Sequence, residues 1–152
     1  MSSSVTDICE AIRDVLASTI GARVKFASMP NGIPSPLPVA VVQWLRTEAE
    51  YSNHNARSGD GKQIASAVKR THRGALFAIL SQTGDRAAEA KDIERAAQKI
   101  MDAFDADVRL TRGGADMVQR FRLVDVRAWE VLVDGSATPL TGVTAEWEAI
   151  EL

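Results

Sequence analysis

Thr141-Gly142-Val143-Thr144-Ala145-Glu146-Trp147-Glu148-Ala149-Ile150-Glu151-Leu152 is the stretch on which the fold reading turns. Val143, Ala145, Trp147 and Ala149 alternate with Thr144, Glu146, Glu148 and Ile150. A period of two places the first set on one face of a strand and the second on the other. Such a strand has one dry and one wet face, as expected in an antiparallel sheet covered on a single side.

Working back from it, a connection containing Asp134-Gly135 and Pro139 leads to a strand-like run from Phe121 to Val133. A Gly113-Gly114 turn precedes that run, and Val108 to Leu110 reads as a further short strand. Upstream, Ile93, Ala96, Ala97, Ile100, Met101 and Phe104 recur at helical spacing within Asp85–Phe104, which predicts an amphipathic helix. Its other face carries Arg86, Glu89, Asp92, Glu94, Arg95, Lys99 and Asp102, a mixed-charge pattern suited to water. Two more runs, Val39–Leu45 and about His72–Gln82, predict a hairpin whose strands extend toward a polar tip. Ala40, Val42 and Trp44 fall on one face of its first strand, Val41 and Leu45 on the other, so both faces are partly covered. Four of the five prolines lie between Ser28 and Pro38 and make a stiff connector into that strand, with a short stretch at Arg23–Phe26 before it. At the start, Val5, Ile8, Ile12, Val15, Leu16 and Ile20 form a helical stripe over about residues 5–20. Ser4 and Asp7 have capping-box spacing, and Gly21 suits a left-handed stop.

The order of elements predicts an α+β fold: a mainly antiparallel sheet of four to six strands, two amphipathic helices packed on one face, and a long hairpin with a mobile tip. With 152 residues and 16.4 kDa, the chain (1–152) is expected to be a single domain, the flexible tip lying at about 52–63. A composition of 45% hydrophobic and 25% charged residues is that of a soluble globular protein. The longest apolar run, Ala75–Leu80, is far short of a membrane span, so no membrane contact is expected. The opening Met1–Asp7 lacks the basic and apolar regions of a signal peptide, which points to synthesis in the cytoplasm. One cysteine, Cys9, excludes an internal disulfide framework and a zinc site of several thiolates.

Chemistry-bearing patterns are few. Gly59-Asp60-Gly61-Lys62-Gln63 invites comparison with a phosphate-binding loop, but Ala56 stands where a glycine is needed and Gln63 where a Ser or Thr is needed. Glu146 and Glu148 share a strand face ~6.5–7 Å apart, a separation open to glycosidase-type acid/base work. Their plainer reading is the solvated side of a strand, opposite Arg122 or another arginine on a neighbouring strand. His54 and His72, the only histidines, have no second ligand at metal spacing, so no metal and no cofactor is expected. Cys9 reads as a small buried hydrophobe, and Trp44, Trp129 and Trp147 as core or subunit-contact residues.

Charge is unevenly spread. The formal total of −2 disfavours a globally basic nucleic-acid binder. Between Tyr51 and Ala75, however, Arg57, Lys62, Lys69, Arg70 and Arg73 face the single acid Asp60, a local sum of +4 that leaves −6 elsewhere. A solvated hairpin, an acidic protein partner and DNA are the readings this allows.

Several strings together resemble the tail terminator, or tail completion, proteins of long-tailed bacteriophages. They are Ile8–Leu16, the proline-rich strand entry Pro36–Val42, His72–Leu80, the helix Ala90–Phe104, and the closing Ala145–Ile150. The resemblance covers nearly the whole chain. It implies a structural virion protein with no catalytic residues: a ring of six subunits on the head-proximal end of the tail tube, ending tube growth and joining the tail to the head. Its partners would be further copies of itself, the tail tube protein and the head-side connector protein, with non-specific contact to DNA passing through. The charge split suggests an interface in which Arg57, Lys62, Lys69, Arg70 and Arg73 of one subunit meet Glu146, Glu148 and Glu151 of the next. A head-closure connector and a small hydrolase using the strand carboxylates are the competing readings.

Overall fold

The computed structural model describes residues 4–21, 24–26, 36–51, 67–81, 85–132, 135 and 138–151; for 24–26, 67, 68 and 86 it describes the backbone alone. Along the chain these form α1 (Val5–Ile20), β1 (Val24–Phe26), β2 (Val39–Tyr51), β3 (Ala67–Ser81), α2 (Arg86–Ala106), β4 (Arg120–Val131) and β5 (Leu140–Ile150). The strands make one sheet in the order β1-β2-β3-β5-β4. β2, β3, β5 and β4 pair antiparallel, while β1 joins β2 in parallel through Val39–Val41. The fold is α+β, as the pattern of elements predicts.

Local chemistry sets the helix ends. The Ser4 hydroxyl accepts from the Asp7 N–H at 3.1 Å while the Asp7 carboxylate accepts from the Ser4 N–H at 3.2 Å, the reciprocal pair of a capping box. Gly21 stops α1 at φ 69°, a conformation that costs glycine little. The Asp85 side chain accepts from the Ala88 N–H and opens α2.

Both helices lie on one face. Ile8, Ile12 and Leu16 of α1 and Ile100 and Phe104 of α2 pack with Ala40, Val42, Leu76, Ala78, Phe121, Val143, Ala145, Trp147 and Ala149. An aromatic file runs through this core, Phe104 to Phe121 at 4.8 Å and Phe121 to Trp147 at 6.3 Å between centroids. The Trp147 ring lies across Gly74, and its Nε1–H donates to the Ala75 carbonyl at 3.2 Å. A Cβ at position 74 would collide with that ring and with the Gln43 carbonyl, so this strand crossing requires glycine. The opposite face holds a smaller cluster of Val39, Val41, Ile79 and Leu140, flanked by Leu37, Phe77 and Trp129. Covering on both faces of early β2 agrees with its nearly continuous apolar run.

Three expectations change. Val108–Leu110 is a turn. The Asp107 N–H bonds the Phe104 carbonyl, the Asp107 side chain accepts from the Thr111 N–H, and Leu110, at φ 49°, plugs the core. The hairpin strands extend toward their tip as expected, the β2–β3 ladder continuing through Arg46–Tyr51 and Ala67–Arg70. Glu89, assigned to the wet side of α2, is buried and accepts from the Ser81 hydroxyl at 3.2 Å. The polar face of β5 is only partly wet, since Glu148 is buried while Glu146 is exposed. The hairpin tip at 52–63 lies outside the described residues.

Candidate interaction surface

On the face away from the helices, the register sets Arg73, Glu148 and Arg122 in one row across β3, β5 and β4. Arg122 Nε and Nη2 donate to Glu148 Oε1 and Oε2 at 3.0 and 3.4 Å, and Arg73 Nη1 donates to Oε2 from the other side. Arg73 also reaches Glu48 at 3.4 Å, and Glu48 reaches Arg46 at 3.2 Å. Four strands are thereby tied by alternating charges. The expectation that an arginine on a neighbouring strand faces the β5 glutamates is met twice at Glu148.

A second polar array lies on the helix side at the same end of the sheet. Trp44 Nε1–H donates to Thr47 Oγ1 at 3.0 Å, Thr47 Oγ1 lies 2.7 Å from His72 Nδ1, and His72 Nε2 lies 3.0 Å from Glu151 Oε2. Arg70 approaches the other oxygen of Glu151 at 3.5 Å. A carboxylate accepts, so Nε2 carries a proton toward Glu151, while Nδ1 meets the Thr47 hydroxyl. This satisfies the buried imidazole and pins the end of β5 to the hairpin. Sequence reasoning missed the array. Its partners lie 25 and 79 residues from His72, so no local spacing announces it.

Of the residues in the expected interface, Arg70 pairs with Glu151 and Arg73 with Glu148 within one chain, and both arginines still reach the surface. Lys69 is exposed on the hairpin, and Glu146 is exposed between two open depressions. One, of about 310 Å³, is lined by Leu45, Arg46, Arg73, Gly74, Val124 and Trp147; the other, of about 420 Å³, is lined by Phe77, Arg127, Trp129 and Thr144. Arg57, Lys62, His54 and the Gly59–Gln63 string lie outside the described residues. A further cleft of about 320 Å³ between α1 and α2 is walled by Ala11, Val15, Ala103 and Leu110, with Asp14, Asp107 and Arg112 at its rim. Arg112 bonds Glu10 at 3.5 Å and Asp14 at 3.3 Å there.

Among the described residues, no three of the His, Cys, Asp and Glu side chains are grouped to hold a metal ion. Among the same residues, no helix is long and apolar enough to cross a membrane. Cys9 is buried on α1, and burial raises its thiol pKa against a weaker opposing pull from Arg13. No protein-family model matches the chain, and no curated protein matches it.

Proposed function

We propose that the chain is a structural virion subunit, a tail terminator that forms a ring on the head-proximal end of a long phage tail. Made in the host cytoplasm, it caps the tail tube, ends its polymerisation and offers its outer surface to the head-side connector. The resemblance of nearly the whole chain to that family supports this reading, and the one-sided α+β fold is compatible with it. The observation that carries it is the gathering, among the described residues, of large exposed apolar side chains on β2 and on and beside β4, as expected of a protein completed by neighbours.

Glu148 suits a framework role better than acid/base work. Both oxygens of Glu148 are engaged by guanidinium donors, whereas a general acid or base needs an oxygen facing substrate. Negative-stain microscopy of the protein alone and on purified tail tubes tests the proposal. Rings, and caps at one tube end, are expected. Binding along tube sides, or none, overturns it, and a position on the head side of the junction marks a head-closure ring instead.

A further inference from the structure

Among the described residues, the large apolar side chains that reach solvent are gathered in two places. Trp44, Leu45 and Tyr51, at 48%, 61% and 57% exposure, lie on β2. Val124 and Val131 lie on β4, Leu132 directly follows it, and Val108 lies beside its first residues. Among the described strands, β2 beyond Val42 and β4 are also the ones with no outer partner. β1 pairs with β2 only at Val39–Val41 and Arg13 takes the Val42 carbonyl, so no described strand pairs with the outer side of β2 from Gln43 to Tyr51. On the other side of the sheet, Val108 occupies the Phe121 N–H, and no described strand lies outside β4 from Leu123 to Val131. A long apolar open edge is a template for strand pairing.

We propose that these two edges form a single interface, in which β2 of one copy adds antiparallel to β4 of the next and carries the sheet from subunit to subunit. Three observations identify the occupant as a second copy. First, three successive antiparallel pairings separate β2 from β4, so the two run in opposite directions. A copy rotated about an axis roughly along the strands therefore presents β2 antiparallel to β4. Second, the edges are different surfaces on opposite sides of one subunit, which is what a head-to-tail contact needs.

Third, the two open stretches are staggered. Thr47, the middle of one, shares its cross-strand row with His72, Ala149 and Phe121; Arg127, the middle of the other, shares its row with Thr144, Phe77 and Val41. The rows lie five residues apart along β3, which is about 17 Å, across four strands about 19 Å wide. Bringing the stretches level tilts the strands by about 40°, within the ~35–45° at which sheets close on themselves. Bulges between Trp44 and Arg46 and between Val124 and Arg127 interrupt both edges and restrict the registers available.

Closure into a ring rests on the proposed function, whereas the edge contact does not. The test is Arg46→Cys with Arg127→Cys in a Cys9→Ala background, treated with a short bismaleimide, with circular dichroism to confirm folding. Both positions are exposed and their ion pairs, Arg46 to Glu48 and Arg127 to Asp125, are surface pairs. The doubly substituted protein should give a ladder of dimer, trimer and higher species on a denaturing gel. Each single variant should stay monomeric, and a mixture of the two should stop at dimer. If that pair perturbs folding, Glu50→Cys with Val124→Cys makes the same measurement. Absence of a ladder, or self-cross-linking by a single variant, overturns the edge contact. Caps on tail tubes without a ladder would overturn this contact and leave the function standing. A ladder from protein that ignores tail tubes would do the reverse.

Discussion

Glu146 and Glu148 are identical in residue type and occupy the same face of the same strand, yet they do different things. The i, i+2 pattern of the sequence reads both as wet. Register decides otherwise, because Arg73 and Arg122 stand opposite position 148 and their guanidiniums close over its carboxylate. Replacing Glu148 by Gln keeps the shape and leaves two arginines facing a neutral amide. Glu148 is buried but both arginines reach water, so the loss should fall well below that of a fully buried pair, at about 1–3 kcal/mol. Glu146→Gln should change stability by less than about 0.5 kcal/mol. Urea denaturation midpoints at constant slope check both values. His72 makes the same point about legibility. Its residue type was plain, but its partners Thr47 and Glu151 become neighbours only when three strands pair.

At the scale of elements, the helices were the most legible, because 3.6-residue periodicity and caps are local. Ser4 and Asp7 form the capping box that their spacing predicts. Hydrogen bonds from the Ser4 hydroxyl and backbone hold the Asp7 carboxyl pKa below its ordinary value. A depressed folded pKa stabilises the helix above the ordinary aspartate range, and that contribution disappears as pH falls through the lower folded value. Loss of the N-cap in Ser4→Ala should cost about 0.5–2 kcal/mol at pH 7. The gap between variant and parent should narrow below about pH 4, near the unfolded aspartate value. Thermal melts of both proteins from pH 7 to pH 2.5 measure it, and a gap that widens with acid contradicts the assignment. Strand limits were less legible. Arg46–Tyr51 continues β2 without an apolar pattern, and Val108–Leu110 has strand-forming residues but is bent by the Asp107 stop and the left-handed Leu110.

At the scale of the whole molecule, Cys9 reports how the layers hold together. It lies in the second turn of α1 against the sheet, and burial keeps its thiol protonated beyond the ordinary range. Labelling by a thiol reagent at pH 8 should be at least about 1000-fold slower than for the unfolded chain, and its rate should follow global unfolding as urea is added. Fast labelling without loss of sheet signal would mean that α1 opens on its own. The amino-acid pattern alone determined the two amphipathic helices, the one-sided sheet, the glycine stop after α1 and the dry face of β5, because each follows from periods and caps within a few residues. Only the tertiary structure decided that the expected basic and acidic interface residues Arg70, Arg73, Glu148 and Glu151 pair within one chain. It likewise decided that, among the described strands, β2 beyond Val42 and β4 have no outer partner. Pairing register and strand order bring residues together across tens of positions, and no local pattern encodes which edge remains free.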